Sequence, residues 1–113
     1  MDIKLKLYFY KYDRSARTIY VQEEEVYETS ETYKVLPGRA LFPFKSRCEL
    51  RKSELGECAA SASGLACVLE RRDDAAARRI FRNHAERELA KARERVERAS
   101  DFACSIESAG IYG

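Results

Sequence analysis

The stretch "DDAAARRIFRNHAERELAKARERVERASDF", Asp73 to Phe102, contains no Gly and no Pro. Its dominant residues, Ala, Glu and Arg, are strong helix formers. Asp73 suits an N-cap. Asp74 adds a second carboxylate to the first turn, where the helix dipole favours negative charge. Gly110 supplies a stop, and Ser100-Asp101 offers a weaker breakpoint before it. The reading is a C-terminal helix over 73–108, and even 30 residues of it would be about 45 Å long.

The apolar positions decide what this helix faces. Ala77, Ile80 and Phe81 come first, and the last two are large enough to pack across a sheet. From Ala85 onward the steps alternate between four and three, through Leu89, Ala92, Val96, Ala99, Ala103 and Ile106, which is the spacing of a heptad seam. Strands of roughly 17–20 Å cannot cover so long a helix. The later turns are therefore expected to project, with the seam Ala85, Leu89, Ala92, Val96 and Ala99 meeting a second copy of the chain. A homodimer is the simplest such assembly. The competing reading folds the helix back on its own domain, the alanines serving only propensity.

Upstream the period changes from helical to two. Ile3, Leu5, Leu7 and Phe9 alternate with Lys4, Lys6, Tyr8 and Tyr10, which describes a strand with one buried side. "DRSAR" (Asp13–Arg17) has turn chemistry, and "TIYVQ" resumes the alternation, so a β-hairpin is expected. In the second strand, Glu23–Glu25 break the pattern set by Ile19 and Val21. A bulge or strand end near Glu24 would restore register before Val26. A second turn is expected around Ser30, and a type II turn at Pro37-Gly38. Phe42, Phe44, Cys48 and Leu50 keep period two, with Pro43 arguing for an edge. "KSELGE" reads as a short turn or one helical turn ended by Gly56, "CAASASG" as a small-residue loop, and "LACVLER" as a buried strand.

The chain of 113 residues is thus read as a single α+β domain. Residues 1–70 form an antiparallel sheet of four to five strands, and one long C-terminal helix packs on it and projects as a heptad seam. A net charge of +2 excludes a polycation, so any nucleic-acid role would need a clustered patch. The charged, alternating N-terminus lacks the apolar stretch of a signal peptide, and no run is long enough to span a membrane. A cytoplasmic location is expected. Cys48, Cys58, Cys67 and Cys104 are expected to be reduced, most of them as small buried hydrophobes. They form no metal-ligand spacing, so neither a metal nor a cofactor is expected.

Four features could carry function. The helix start gathers Arg71, Arg72, Arg78, Arg79 and Arg82, with Asn83 and Phe81 beside them. Such a group could hold phosphates or another anion, although a solvated helix face has the same composition. Lys4, Lys6, Tyr8, Tyr10 and Tyr12, with Tyr20 on the paired strand, could form a base-stacking platform, or simply cover the second sheet face. His84 is the only histidine and has no nucleophile in a recognised motif beside it. Glu23–Glu25 could bind a cation or lie solvated at a strand end. No glycine-rich phosphate loop, dinucleotide fingerprint or calcium loop is present.

"ETYKV" from Glu31, "SRCELRKSEL" from Ser46 and "ACVLERRDDAAARRIF" from Ala66 together resemble a pattern in small proteins of bacteriophages and prophages of gut bacteria. There a Thr-Tyr strand precedes a basic strand ending in Lys-x-x-Leu, followed by an apolar strand and a helix capped by an acidic pair. The resemblance covers about Glu31 to Phe81. The alanine-rich tail and the four cysteines are not part of the pattern, and it implies no active-site residue. What it implies is a phage accessory protein acting in a bacterial cytoplasm; with the small size and the missing catalytic signature, the leading reading is a non-catalytic protein that binds or inhibits a host protein or defence component. Two alternatives stand beside this reading. One is sequestration of a small nucleotide signal at an arginine-lined subunit interface. The other is a nucleic-acid-binding module using the Tyr/Lys strand or the Arg-rich helix.

Overall fold

The computed structural model describes residues 3–35 and 49–112. The chain is α+β. Strands β1 (Ile3–Asp13), β2 (Thr18–Glu28), β3 (Thr32–Val35), β4 (Glu49–Arg51), β5 (Ala59–Ser61) and β6 (Gly64–Leu69) precede one helix, α1 (Asp74–Ser108). The six strands form one sheet in the order β4-β3-β2-β1-β6-β5, with every neighbouring pair antiparallel. The additional strand is β5, drawn from the segment that reads as a loop. Its residues are small and all exposed, so they carry no hydrophobic alternation to announce a strand. The Pro37-Gly38 turn and the period-two residues Phe42, Phe44 and Cys48 lie outside the described residues.

The β1–β2 register is unbroken from Ile3 opposite Glu28 to Asp13 opposite Thr18. The bulge expected near Glu24 is therefore absent. The strand accommodates its three carboxylates by changing which face it buries. Near the hairpin, Ile19 and Val21 face the side of Tyr10, Tyr12, Leu65 and Cys67. At the other end Val26 faces the opposite side, in a cluster with Leu7, Phe9, Tyr33, Leu50 and Val68. Between them Glu23 and Glu25 leave the sheet beside two lysines, Lys6 at 2.8 Å and Lys4 at 3.1 Å. Two cores on opposite faces of the same strand pair remove the need for an extra residue.

The hairpin turns are set by short polar side chains. The Asp13 carboxylate accepts the Ser15 and Ala16 amides and the Ser15 hydroxyl, which holds its pKa below the ordinary carboxylate value. Between β2 and β3, the Thr29 amide and hydroxyl both donate to the Thr32 carbonyl. Lys52, just past β4, bonds Glu28 at 2.6 Å and stands over the Tyr33 ring, joining the turn to the end of β2. At Gly64 φ is +154°, and a Cβ there would land on the Tyr12 carbonyl oxygen. Only glycine lets β6 enter the sheet so close to β1.

The helix docks on the Tyr10 side of the sheet. Ala77 and Phe81 are buried with Tyr10 and Cys67, and Ile80 packs against them. The Asp73 carboxylate accepts the Ala76 amide at 3.0 Å as an N-cap. The Tyr10 hydroxyl donates to Asp74 at 2.7 Å and accepts the Asp73 amide at 3.0 Å. One buried phenol thus fixes where the helix begins. The contacts of the chain divide into two units, Met1–Arg82 and Asn83–Gly113. α1 runs through the boundary and continues unbroken past the weak breakpoint at Ser100-Asp101.

Two tests follow from this packing. Tyr10→Phe keeps the ring but strands the Asp73 amide, and should lower unfolding free energy by about 1–3 kcal/mol in urea titrations. Burial first, and then the bond to Asp74, push the Tyr10 pKa up to about 12. Its stabilising contribution is complete below its ordinary pKa of 10.0 and disappears as pH rises through about 12. The bond from Tyr10 lowers the Asp74 pKa below 3.8, so that contribution exists above 3.8 and is lost as pH falls through the lowered value. Urea midpoints measured across these two windows should fall in wild type at both extremes, with the 10-to-12 part absent in Tyr10→Phe. Gly64→Ala should cost at least about 1 kcal/mol by the same measurement.

Candidate functional site: the arginine-bearing start of the helix

Arg71 and Arg72 lie between β6 and α1, and Arg78, Arg79 and Arg82 follow in the first turns of the helix. All five are exposed. They are exposed because the inner stripe of these turns is occupied by Ala77, Ile80 and Phe81. Arg78 and Arg82 are four residues apart and Arg79 and Arg82 three, so they are neighbours on the helix surface. Arg72 pairs with Asp74 at 3.4 Å. Arg78 stays near enough to help lower the Asp74 pKa without closing an ion pair. Among the described residues Arg71, Arg79 and Arg82 make no ion pair. Lys4, Lys6, Lys52, Lys91 and Arg98 each meet a carboxylate, while Lys11, Arg14, Arg17, Lys34, Arg87 and Arg93 also form no ion pair among the described residues. Asn83, the other residue expected here, is exposed and belongs to the second unit.

Arg72, Arg78, Asp74, Tyr10, Ile19 and Val21 border a cleft of about 140 Å³. A pocket for a drug-sized ligand occupies about 300–1,000 Å³. The cleft has room for the end of a side chain or a single anionic group, and Asp74 supplies a negative charge on its wall. It is a local dip in a positive surface.

The Tyr/Lys residues do not form one platform. Tyr10 is only 1% exposed, Tyr8 and Tyr12 are half-buried against the helix-facing core, and Tyr20 sits opposite Lys11 on the other face. Tyr20 is exposed but stands apart from the other rings. Lys4 and Lys6 are committed to Glu25 and Glu23. The notion of tyrosines covering the second sheet face describes these positions, with the helix start as the cover. Alternation identified the correct face of β1, but a helix arriving from 60 residues downstream decided that it would be closed.

The other candidates separate. His84 is half-buried on the helix, and no group of His, Cys, Asp or Glu among the described residues could hold a metal ion. Glu24 lies on the sheet face opposite to Glu23 and Glu25, beside Gln22, whose side chain donates to it. Of the thiols, Cys67 is buried, Cys58 half-buried and Cys104 exposed, all three unbridged. Cys104 lies on an exposed stretch of the helix and is not among the buried thiols, and Cys48 lies outside the described residues. Burial, with a smaller contribution from nearby Cys58, pushes the Cys67 thiol up to about 12. No described helix is long and apolar enough to cross a membrane. No protein-family model, curated protein or solved structure matches the chain.

Thiol alkylation at neutral pH, followed by peptide mass spectrometry, should modify Cys104 first and Cys58 more slowly. Cys67 should react only on unfolding. Labelling of Cys67 at the Cys104 rate in folded protein would contradict the docked helix start.

Proposed function

We propose that the chain is a non-catalytic binding protein whose helix start meets an acidic surface of another macromolecule. In keeping with the phage-like pattern over Glu31 to Phe81, the partner class is a host protein or a component of a host defence complex. One observation carries the reading. Arg71, Arg79 and Arg82 are exposed without an ion-pair partner among the described residues, where the start of the helix also brings Arg72 and Arg78 to the surface. Guanidinium groups, here Arg79 and Arg82 on the helix and Arg71 just before it, suit carboxylates, which they engage with two parallel hydrogen bonds. The cleft beside them is too small for a nucleotide and contains a carboxylate, which favours a broad acidic partner over a sequestered nucleotide. Closed tyrosines and paired lysines weigh against a stacked nucleic acid.

Arg71→Glu with Arg79→Glu removes two of these cations without touching the core, the cap or the Arg72–Asp74 pair. Wild-type chain immobilised in bacterial lysate should retain a specific acidic protein, and the double variant should lose it with unchanged circular dichroism. Equal retention by both would move the site elsewhere. Native mass spectrometry of gently purified protein supplies the contrast, because a bound species of a few hundred daltons would favour the nucleotide reading.

A further inference from the structure

In the second unit, Asn83–Gly113, Leu89 is 50% exposed, Val96 69%, Phe102 69% and Ile106 74%. Long helices are held chiefly by burial of an apolar face, and propensity alone is marginal. We propose that this seam docks, antiparallel, on the same seam of a second copy of the chain. In the proposed register Leu89 sits against the partner's Ala92 and Val96 against the partner's Ala85.

Side-chain size is the first argument for that register. It leaves each further layer with one long side chain on one alanine. Arg82 falls on the partner's Ala99, Arg78 on the partner's Ala103, and Ile106 on the partner's Ala75. All of these positions are exposed. Arginine stems can lie along alanine methyls while their charged heads stay in water. A parallel pair would instead stack Leu89 on itself and alanine on alanine. The preferred helix separation would then change from layer to layer, against the even packing of protein interiors.

Charge is the second and independent argument. Glu86 and Glu88 flank the seam one heptad before Arg93 and Arg95. The proposed register brings Glu86 to the partner's Arg93 and Glu88 to the partner's Arg95, each pair occurring twice by symmetry. Sliding one helix by a heptad sets Arg93 and Arg95 against their own copies. Sliding it the other way sets Glu86 and Glu88 against theirs. Both neighbouring registers are thus repelled where this one is held. A parallel pair would offer only Glu88 with the partner's Arg93. The antiparallel arrangement also carries the two arginine-bearing helix starts to opposite ends, so they do not merge into one subunit interface.

Two charge swaps on the full chain separate the arrangements without changing composition. Glu88→Arg with Arg95→Glu keeps every antiparallel pair attractive but makes the parallel pair repulsive. Glu88→Arg with Arg93→Glu does the reverse. Sedimentation velocity over a concentration series should show a wild-type dimer, retained by the first variant and weakened at least about tenfold in the second. Circular dichroism checks that both keep their helix. The opposite pattern would overturn the proposal. So would a wild type that stays monomeric, or a dimer to which the two swaps do the same thing. Neither swap changes Arg71 or Arg79, so loss of the dimer with the acidic protein retained, or the reverse, tells failure of this proposal from failure of the acidic-partner reading.

Discussion

The position of the helix depends on one phenol. Tyr10 lies in the middle of a central strand, almost without solvent contact, and its hydroxyl reaches the backbone and the carboxylate of two consecutive aspartates. A buried hydroxyl must find partners or incur a desolvation cost. Here the partners are the residues that open α1. Asp73 caps the helix with its side chain while its own amide is held by the sheet. Satisfying one polar atom therefore sets the helix start, the depth at which Phe81 inserts and the exposure of the arginines around it. The outward cluster of positive charge is a by-product of how the inner stripe is anchored.

Much of this architecture was legible in the sequence. Period two over Ile3–Phe9, the turn chemistry at Asp13 and the acidic N-cap at Asp73 each rest on local physics, and each appears where that physics puts it. The failures share a cause in long-range packing. The Glu23–Glu25 run calls for a bulge only if a strand buries one face throughout, and β2 buries one face at one end and the other at the other. The small residues of β5 pair by backbone hydrogen bonds and carry no pattern to read. The weak breakpoint at Ser100 is a different case, a local preference that the surrounding helix formers override.

The candidate site divides in the same way. Arginines at the helix start are exposed because helical periodicity places Ala77, Ile80 and Phe81 on the inner stripe, which sequence alone can show. Whether each cation has a carboxylate beside it is a property of assembled strands. Lys4 and Lys6 look as free as Arg71 and Arg79 along the chain. They differ because β2 returns with Glu25 and Glu23 in register. The tyrosines mislead for a related reason, since an amphipathic ring suits an open platform and a helix-covered face equally well.

The two cores on opposite faces of β1 and β2 also shape how the fold comes apart. Leu7, Phe9 and Val26 belong to one, and Tyr10, Cys67 and Phe81 to the other. Lifting the helix start off the sheet uncovers the second while leaving the first assembled, because the strand pairing between them is common to both. Opening there would leave the sheet intact, wet the tyrosine face and expose the thiol of Cys67. Amide exchange in such a molecule proceeds in steps, the helix start ahead of the central strands.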